Sequence, residues 1–223
     1  MVRRSGSPAP VNRGGASRWR RWGPAAILLL LLSVACTPGQ QGGPWEATFD
    51  DATGWRLNSD AVAEVTIEDG SLHIDVLQPG QVAWAATEMA WADLRLEVDA
   101  TQVAGPHDNE YGVLLRMTGD ERFYAFSISG DGYVRAARYA EGEWTVIGPD
   151  WAPSDAVNQG EATNHLEVVA EGPAFEFSVN GVSVLEVEDA ALERGSVGLY
   201  AGAFGEGGVE VAFDDLRITP LEE

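Results

Sequence analysis

Asn-Glu-Tyr-Gly-Val-Leu-Leu-Arg at residues 109–116, Arg-Phe-Tyr-Ala-Phe-Ser-Ile-Ser at 122–129 and Tyr-Val-Arg-Ala-Ala-Arg-Tyr at 133–139 form the stretch that decides the fold. With a period of two residues, one face of the first run carries Tyr111, Val113, Leu115 and Met117, and one face of the second carries Tyr124, Phe126 and Ile128. Glycine-rich turns at 118–120 and 130–132 separate the runs. The stretch predicts a three-stranded antiparallel meander, and parity alone leaves open which face is buried.

Short alternating strands continue on both sides of the meander. Leu94, Leu96 and Val98 alternate with charged residues, as in a half-buried strand. Asn180-Gly181 is the strongest hairpin signal in the chain. After residue 36 no window has a sustained helical period, apart from one turn at 189–193. The prediction is therefore an all-β fold, an antiparallel two-sheet sandwich of jelly-roll type.

The last strand changes its phase at two aspartates. Val209, Val211 and Phe213 share one face, whereas Leu216 and Ile218 have the opposite parity. An extra residue in one strand of a pair produces such a change. The sequence therefore predicts a β-bulge at Asp214-Asp215.

The N-terminal residues have the pattern of an export signal. The first 35 residues contain six arginines and no acid. All six arginines precede an apolar run from Ala25 to Leu32, and Cys36 comes shortly after that run. The position of Cys36 resembles that of the lipidated cysteine of bacterial lipoproteins, although Ser33 stands where leucine is usual. We expect a lipoprotein-type signal peptide at 1–35, a lipidated Cys36 and flexible tether at 36–44, one β-sandwich domain at 45–219 and a tail at 220–223. Ordinary secretion with a free thiol is the alternative.

The expected mature chain is strongly acidic. Cleavage before Cys36 leaves eight arginines, no lysine and all 35 acids, a formal charge of −27. Nucleic acid and anionic membrane surfaces are poor partners for such a chain, because phosphate contacts need clustered positive charge. We expect an exported protein, lipid-anchored on the outer face of a bacterial membrane.

Several short motifs together carry a resemblance to a known family. They are Phe49-Asp50-Asp51, Gly54-Trp55, the run 109–116, Gly142-x-Trp144, Val179-Asn180-Gly181, Gly195-x-Val197-Gly198-Leu199 and Phe213-Asp214-Asp215. In this order they resemble the concanavalin A-like lectin/glucanase superfamily, and within it the laminin-G-like bacterial domains grouped with 3-keto-disaccharide hydrolases. The resemblance covers about residues 45–219.

Four residues are candidates for a ligand site on or beside the meander. Asn109 and Arg116 are polar groups at the two ends of one run, and either can hydrogen-bond sugar hydroxyls. Tyr139 and Trp144 can stack on the apolar face of a sugar ring. The structural alternative is that Asn109 caps a turn and Arg116 pairs with an acid across strands. Among the other tryptophans, Trp45, Trp55 and Trp84 are expected in the core or at its rim, and Trp151 is expected to be exposed.

The ends of the predicted domain supply candidate metal ligands. Asp50 and Asp51 follow the first strand, and Asp214 and Asp215 lie on the last. If these strands pair, their carboxylates can bind a structural calcium ion, which prefers oxygen ligands. The alternative is a turn cap and a bulge. His73, His107 and His165 have no ligand-like spacing, so the sequence predicts no zinc site.

The sequence contains no convincing catalytic motif. Glu186 and Glu188, and Glu64 and Glu68, have a spacing that 35 acids produce by chance, and we interpret both pairs as solvated. The leading prediction is a surface-anchored lipoprotein whose sandwich binds extracellular carbohydrate or a related polymer without catalysis. Two alternatives stay open: a glycan-active hydrolase of the 3-keto-disaccharide type, implied by the resemblance, and a structural domain that binds another protein. The oligomeric state is open.

Overall fold

The computed structural model describes residues 42–221, whose regular structure is entirely β-strand. The predicted signal peptide, Cys36 and most of the tether lie outside these residues. Sixteen strands are formed: β1 (Trp45–Ala47), β2 (Trp55–Leu57), β3 (Ala63–Glu68), β4 (Ser71–Val76), β5 (Gln81–Thr87), β6 (Leu94–Ala104), β7 (Asn109–Met117), β8 (Phe123–Ile128), β9 (Tyr133–Ala140), β10 (Glu143–Val146), β11 (Ala152–Pro153), β12 (Thr163–Glu171), β13 (Ala174–Val179), β14 (Val182–Glu188), β15 (Ser196–Ala203) and β16 (Val209–Pro220). Across 42–221, the chain forms no apolar helix that could cross a bilayer.

The strands form two antiparallel sheets. Sheet one has the order β14-β13-β12-β6-β16-β4-β3, with β1 paired to β16. Sheet two has the order β10-β9-β8-β7-β15-β5-β2, with β11 paired to β9. The meander is β7-β8-β9 in the half of sheet two that ends at β10. The predicted two-sheet sandwich and the pairing of the first strand with the last are confirmed.

The core lies between the sheets, where the apolar residues of each strand alternate inward. The face of β7 and β8 that carries Tyr111 and Phe126 is the buried one. Across the interior, the ring of Phe126 lies 5.3 Å from that of Phe175 and 5.9 Å from that of Phe177 on β13. The structure therefore answers the question that parity left open.

One prediction about facing is wrong: Met117 does not share a face of β7 with Tyr111, Val113 and Leu115. Arg116 has a φ of 53°, and the pairing of β7 with β15 shifts register between Ser196 and Gly198. Such a bulge reverses the facing of the next residue. Met117 therefore packs in an outer cluster with Leu114, while the side chain of Arg116 turns inward.

The predicted bulge in the last strand is confirmed. The pairing of β16 with β6 shifts register between Asp214 and Arg217, and Asp215 has a φ of 51°. The shift allows both Phe213 and Leu216 to be buried despite their opposite parity. The tight hairpin between β13 and β14 is also present.

The turn of helix predicted at 189–193 is absent. The carboxylate of Asp189 pairs with Arg138 and accepts a hydrogen bond of 2.7 Å from the Tyr124 hydroxyl. The backbone N–H of Leu192 donates to the same hydroxyl, at 3.0 Å. These contacts to β8 and β9 replace helical hydrogen bonds, so the segment is irregular.

Candidate functional site

The outer face of sheet two carries exposed rings around buried polar groups. Successive side chains of a strand point to opposite faces of the sheet. The residues of sheet two that alternate with its core residues therefore lie on this outer face. Register places Trp84 beside Tyr200, and Tyr139 beside Trp144. We call this surface the sheet-two face and define it by six residues: Trp84, Glu110, Arg135, Tyr139, Trp144 and Tyr200.

Aromatic rings occupy one end of the sheet-two face. The ring of Tyr139 lies 5.1 Å from that of Trp144 and 5.3 Å from that of Phe123. Trp144 is 40% exposed, although it also contacts Phe123 edge-on. The cluster therefore holds the Trp144 ring in place on β10 while leaving much of it accessible to a ligand.

Glu110 is a nearly buried carboxyl group within this face. It is 6% exposed, and its Oε2 accepts a hydrogen bond from the Tyr200 hydroxyl at 3.4 Å. Nη1 of Arg135 lies 3.8 Å from the same oxygen. Burial raises the pKa of the Glu110 carboxyl, and the charge of Arg135 and the Tyr200 hydrogen bond oppose this rise.

A glycine leaves space for the Glu110 side chain. Gly202 on β15 is paired with Glu110. A Cβ at Gly202 would lie 2.8 Å from Cγ of Glu110 and 2.7 Å from Cγ1 of Val82, so both side chains would have to move. Glycine at position 202 therefore allows the Glu110 carboxyl group to lie where it does.

Arg135 connects the two halves of the site. Its guanidinium carbon lies 5.3 Å from the ring centroid of Trp144 and 5.6 Å from that of Trp151. Nε is buried and lies 3.4 Å from Oδ1 of Asp150, an ion-pair distance without hydrogen-bond alignment. Within residues 42–221 this N–H has no hydrogen-bond acceptor.

A cleft adjoins the face beyond Arg135. It has a volume of about 220 Å³ and is lined by Asp108, Ser129, Asp131, Tyr133, Trp151 and Phe204. Trp151 has a φ of 51° and meets Phe204 edge-on at 5.7 Å. Because Trp151 also contacts Arg135, the cleft and the sheet-two face form one continuous candidate site with apolar walls and carboxylates.

The structure places two predicted ligand-binding residues away from this surface. Asn109 is fully buried, with its amide nitrogen 2.7 Å from the Pro106 carbonyl and its oxygen accepting from the Gly130 N–H at 2.9 Å. Arg116 is 3% exposed and donates to the carbonyls of Ala92 and Leu192. It also pairs with Asp93 at 3.2 Å. For both residues the contacts match the structural alternative.

The other predictions for aromatic residues have mixed outcomes. Tyr139 and Trp144 lie together on the sheet-two face, as the ligand-site prediction requires. Trp55 is buried and Trp45 packs against the core, whereas the partly exposed Trp84 lies on the outer face of β5. The expectation for Trp84 was therefore wrong, because it has the parity opposite to the core residues Ala83 and Ala85.

Sequence reasoning missed Glu110, Arg135 and Tyr200. Glu110 is the second residue of β7, which begins at Asn109. Each of the three has the parity opposite to core residues of its own strand. A search for polar residues that alternate with the apolar residues of β7, β9 and β15 would have found all three. Only the pairing of these strands shows that the three side chains lie together.

The structure does not assemble the four aspartates predicted to bind calcium. Asp50 accepts a hydrogen bond from Thr48, Asp51 accepts one from the Thr53 N–H, and Asp214 accepts one from the Asp215 N–H. In the part of the chain that the structure describes, the group of three metal-capable side chains is a different one: Glu97, His165 and Glu167 on sheet one. The hydrogen bonds of Asp51 and Asp214 match the alternative of a turn cap and a bulge.

The comparison with solved structures gives the fold. Carbohydrate-binding module CBM66 from Bacillus subtilis has a TM-score of 0.60 and 18% identity, over 76% of this chain and 97% of that one. Bacillus licheniformis beta-glucanase has a TM-score of 0.61 and 13% identity, over 82% and 100%. Apo Crh5 transglycosylase has a TM-score of 0.64 and 13% identity, over 84% and 89%. The concanavalin A-like jelly-roll sandwich predicted from the motifs is confirmed.

The comparison with curated proteins found no match. A family model does match, from residue 44 to residue 219, and its description is 3-keto-alpha-glucoside-1,2-lyase-like domain. The matched range contains all sixteen strands except the last residue of β16. The chain therefore belongs to the 3-keto-alpha-glucoside-1,2-lyase-like domain family.

Proposed function

We propose that the protein binds carbohydrate on the sheet-two face and in the adjoining cleft. The observation that carries this proposal is the position of Arg135, which lies against the rings of both Trp144 and Trp151 and has a buried N–H without an acceptor among the described residues. Sugar rings have apolar C–H faces and a rim of hydroxyl groups. A site for them needs flat rings beside fixed hydrogen-bonding groups, and this surface has both.

The kind of ligand is supported by the fold neighbours and by the family. One neighbour is a carbohydrate-binding module, another a beta-glucanase, and the family description names a glucoside. The local charge supports a neutral sugar over an anionic one, because Asp150 and the two aspartates of the cleft, Asp108 and Asp131, outnumber Arg135. This proposal concerns binding and is independent of whether a reaction follows.

Binding is tested with the full chain on a glycan array, followed by calorimetric titration with the best ligand. Trp144→Ala removes an exposed ring, and we expect the affinity to fall by about 10- to 100-fold, in line with ~1–3 kcal/mol for a lost aromatic contact at a binding site. Glu176→Ala, an exposed substitution on sheet one, is the matched control and should bind like the wild type. Equal affinity of Trp144→Ala and the control would place the binding site elsewhere, and an array without any ligand would favour the protein-interaction alternative.

Catalysis on a glycan is the second candidate function, and the buried Glu110 carboxyl favours it. Burial raises the pKa of the Glu110 carboxyl, which makes its carboxylate a stronger base. In a 3-keto glucoside the hydrogen on C2 is acidified by the neighbouring carbonyl. A base that removes this proton forms the C1–C2 double bond as the C1–O bond breaks, and the departing oxygen takes up a proton.

This candidate is tested with a 3-keto glucoside that has a chromogenic leaving group. If Glu110 is the base, the wild type releases the chromophore and Glu110→Gln lowers kcat by about 10²- to 10⁴-fold, with a small change in KM. Glu176→Gln is the control for loss of a carboxylate. Binding without release by the wild type would leave carbohydrate binding as the function and exclude this elimination.

The location at the cell surface is also a proposal. It rests on the basic and apolar N-terminal pattern and on Cys36. In a bacterial host, labelled palmitate should be incorporated into the wild-type chain and not into Cys36→Ser. Label in the variant would show that Cys36 is not the lipidated residue.

A further inference from the structure

We propose that the outer face of sheet one has a binding site for a divalent transition-metal cation, formed by Glu97, His165 and Glu167. It lies on the opposite sheet from the candidate carbohydrate site and does not depend on the proposed function. The sequence predicted no zinc site, because the three histidines are far apart along the chain. The structure instead combines one histidine with two carboxylates, Glu167 of the same strand and Glu97 of the neighbouring strand.

Strand pairing brings the three side chains together. In the antiparallel pairing of β6 with β12, Glu97 lies opposite Glu167. His165 is two residues before Glu167, so both point to the same face. Leu96, Leu166 and Val168 are in the core, which assigns the ligand side chains to the outside. One ligand atom from each of the three side chains lies within 4.8 Å of the others.

The histidine is oriented for metal binding by a fourth residue. Nδ1 of His165 lies 2.7 Å from Oδ1 of Asp99, the residue opposite it on β6. A hydrogen bond from Nδ1–H to this carboxylate leaves Nε2 with its lone pair available, as in carboxylate–histidine–metal arrangements. Nε2 lies 3.9 Å from Oε1 of Glu97. A cation ~2.0–2.2 Å from each atom fits between them after a small side-chain movement.

The surrounding charges favour a cation. Glu97, Asp99 and Glu167 provide three carboxylates against two nearby arginines. Arg95 contacts one oxygen of Glu167, and Arg217, opposite Glu97 on β16, pairs with Glu46. The second oxygen of Glu167 is not in the ion pair with Arg95. Side-chain exposures of 29% for Glu97, 43% for His165 and 24% for Glu167 leave a path for the ion from solvent. Arg95 is itself 45% exposed, so its side chain can move away from Glu167 at little cost.

The ligand set selects the class of metal. One imidazole nitrogen and two carboxylate oxygens suit zinc and related first-row ions, whereas calcium prefers six to eight oxygen ligands. Three protein ligands leave one position of a tetrahedral ion for water. We therefore expect zinc to bind more tightly than calcium.

The test is calorimetric titration of zinc into the full chain, purified without a histidine tag and with Cys36→Ser as the common background, so that the thiol does not contribute. We expect one equivalent of zinc per chain. His165→Gln and Glu97→Gln should each weaken binding by at least ~10-fold, and Asp99→Asn, a positioning variant, by ~10-fold. All of these side chains are partly exposed, and circular dichroism should show that the fold is kept.

His73→Gln is the matched control. His73 lies on the same sheet and pairs with the carboxylate of Glu210 at 3.2 Å, but it is not in the three-ligand group. Zinc affinity should be the same in this variant and in the background protein. The proposal is overturned if the background protein binds no zinc, if His165→Gln binds as tightly as the background, or if His73→Gln loses as much affinity as His165→Gln, because the last result would mean diffuse binding to an acidic surface.

Discussion

The two outer faces of the sandwich use the same strand alternation but have opposite chemistry. The sheet-two face has the rings of Trp84, Tyr139 and Trp144 around Glu110, which is 6% exposed. The outer face of sheet one, in its described strands, has mainly charged and small polar side chains, with a few valines such as Val103 and no Phe, Trp or Tyr ring. Its carboxylates, such as Glu97 at 29%, keep contact with water.

The difference shows that the neighbours of a charged group decide what it can do. On sheet one, water screens the carboxylates, and their pairs with Arg95 and His165 are worth little to stability. On sheet two, Glu110 is nearly buried beside Tyr200 and Gly202, and this burial raises its pKa and strengthens its interactions. A site for an uncharged ligand needs buried, fixed hydrogen-bonding groups, as on sheet two. A site for a hydrated cation needs carboxylates in contact with water, as on sheet one.

The largest expected effect is on the free energy of unfolding, and it tests whether Arg116 belongs to the sheet-two face. Arg116 lies on β7 but is buried on its inner side, where it donates to Leu192 and pairs with Asp93. We expect Arg116→Leu to lower the free energy of unfolding by about 3–5 kcal/mol, because its partners are left without a donor. Urea denaturation measures this loss. Arg135→Leu is the comparison and should cost much less stability while lowering ligand affinity.

The opposite result would mean that the binding site includes Arg116. If Arg116→Leu folds with wild-type stability and loses ligand affinity, Arg116 belongs to the binding site, which was one of the two alternatives for it in the sequence. The interpretation of its contacts with Ala92, Leu192 and Asp93 as structural would then be wrong.

The next effect concerns the pH dependence of stability. The folded-state pKa of Glu110 is raised above the ordinary value of 4.5, so the folded protein holds a proton that the unfolded chain has released. Its contribution to stability is present below that value and is lost as pH rises through the raised pKa. Glu110→Gln does not titrate, so the wild type should lose stability relative to this variant as pH rises from 4 towards neutral.

Urea denaturation of both proteins at several pH values gives this difference. Below pH 4 it should be constant. A wild type that gains stability relative to Glu110→Gln with rising pH would mean that Arg135 outweighs burial, and Glu110 would then be an ordinary ion-paired carboxylate like those of sheet one.

The smallest expected effect concerns calcium at the edge of sheet one. Three of the four aspartates already accept hydrogen bonds from nearby groups of the chain, as Asp51 does from the Thr53 N–H at 2.7 Å. We expect the melting temperature of the protein to be the same with and without a calcium-selective chelator. If the chelator lowers the melting temperature and added calcium reverses the change, the calcium site is established. Sheet one would then bind a second cation through its carboxylates.

Local patterns predicted the fold well and the site only in part. The alternation in 109–139, the Asn180-Gly181 hairpin and the bulge at Asp214 depend on neighbours in sequence, and all are present. Met117 was assigned to the wrong face because the positive φ of Arg116 has no local signal in a run of apolar residues. Tyr139 and Trp144 were found as an aromatic pair, but their polar partners were not.

The sequence by itself determined that this chain makes an all-β sandwich, because turn residues and a period of two depend only on the local backbone. The tertiary structure decided which side of each strand meets the core and which side chains meet across strands. Glu110, Arg135 and Tyr200 come from β7, β9 and β15, and Glu97 and His165 come from β6 and β12. Both candidate sites therefore depend on strand register, which is set by the packing of the whole core and by no single segment.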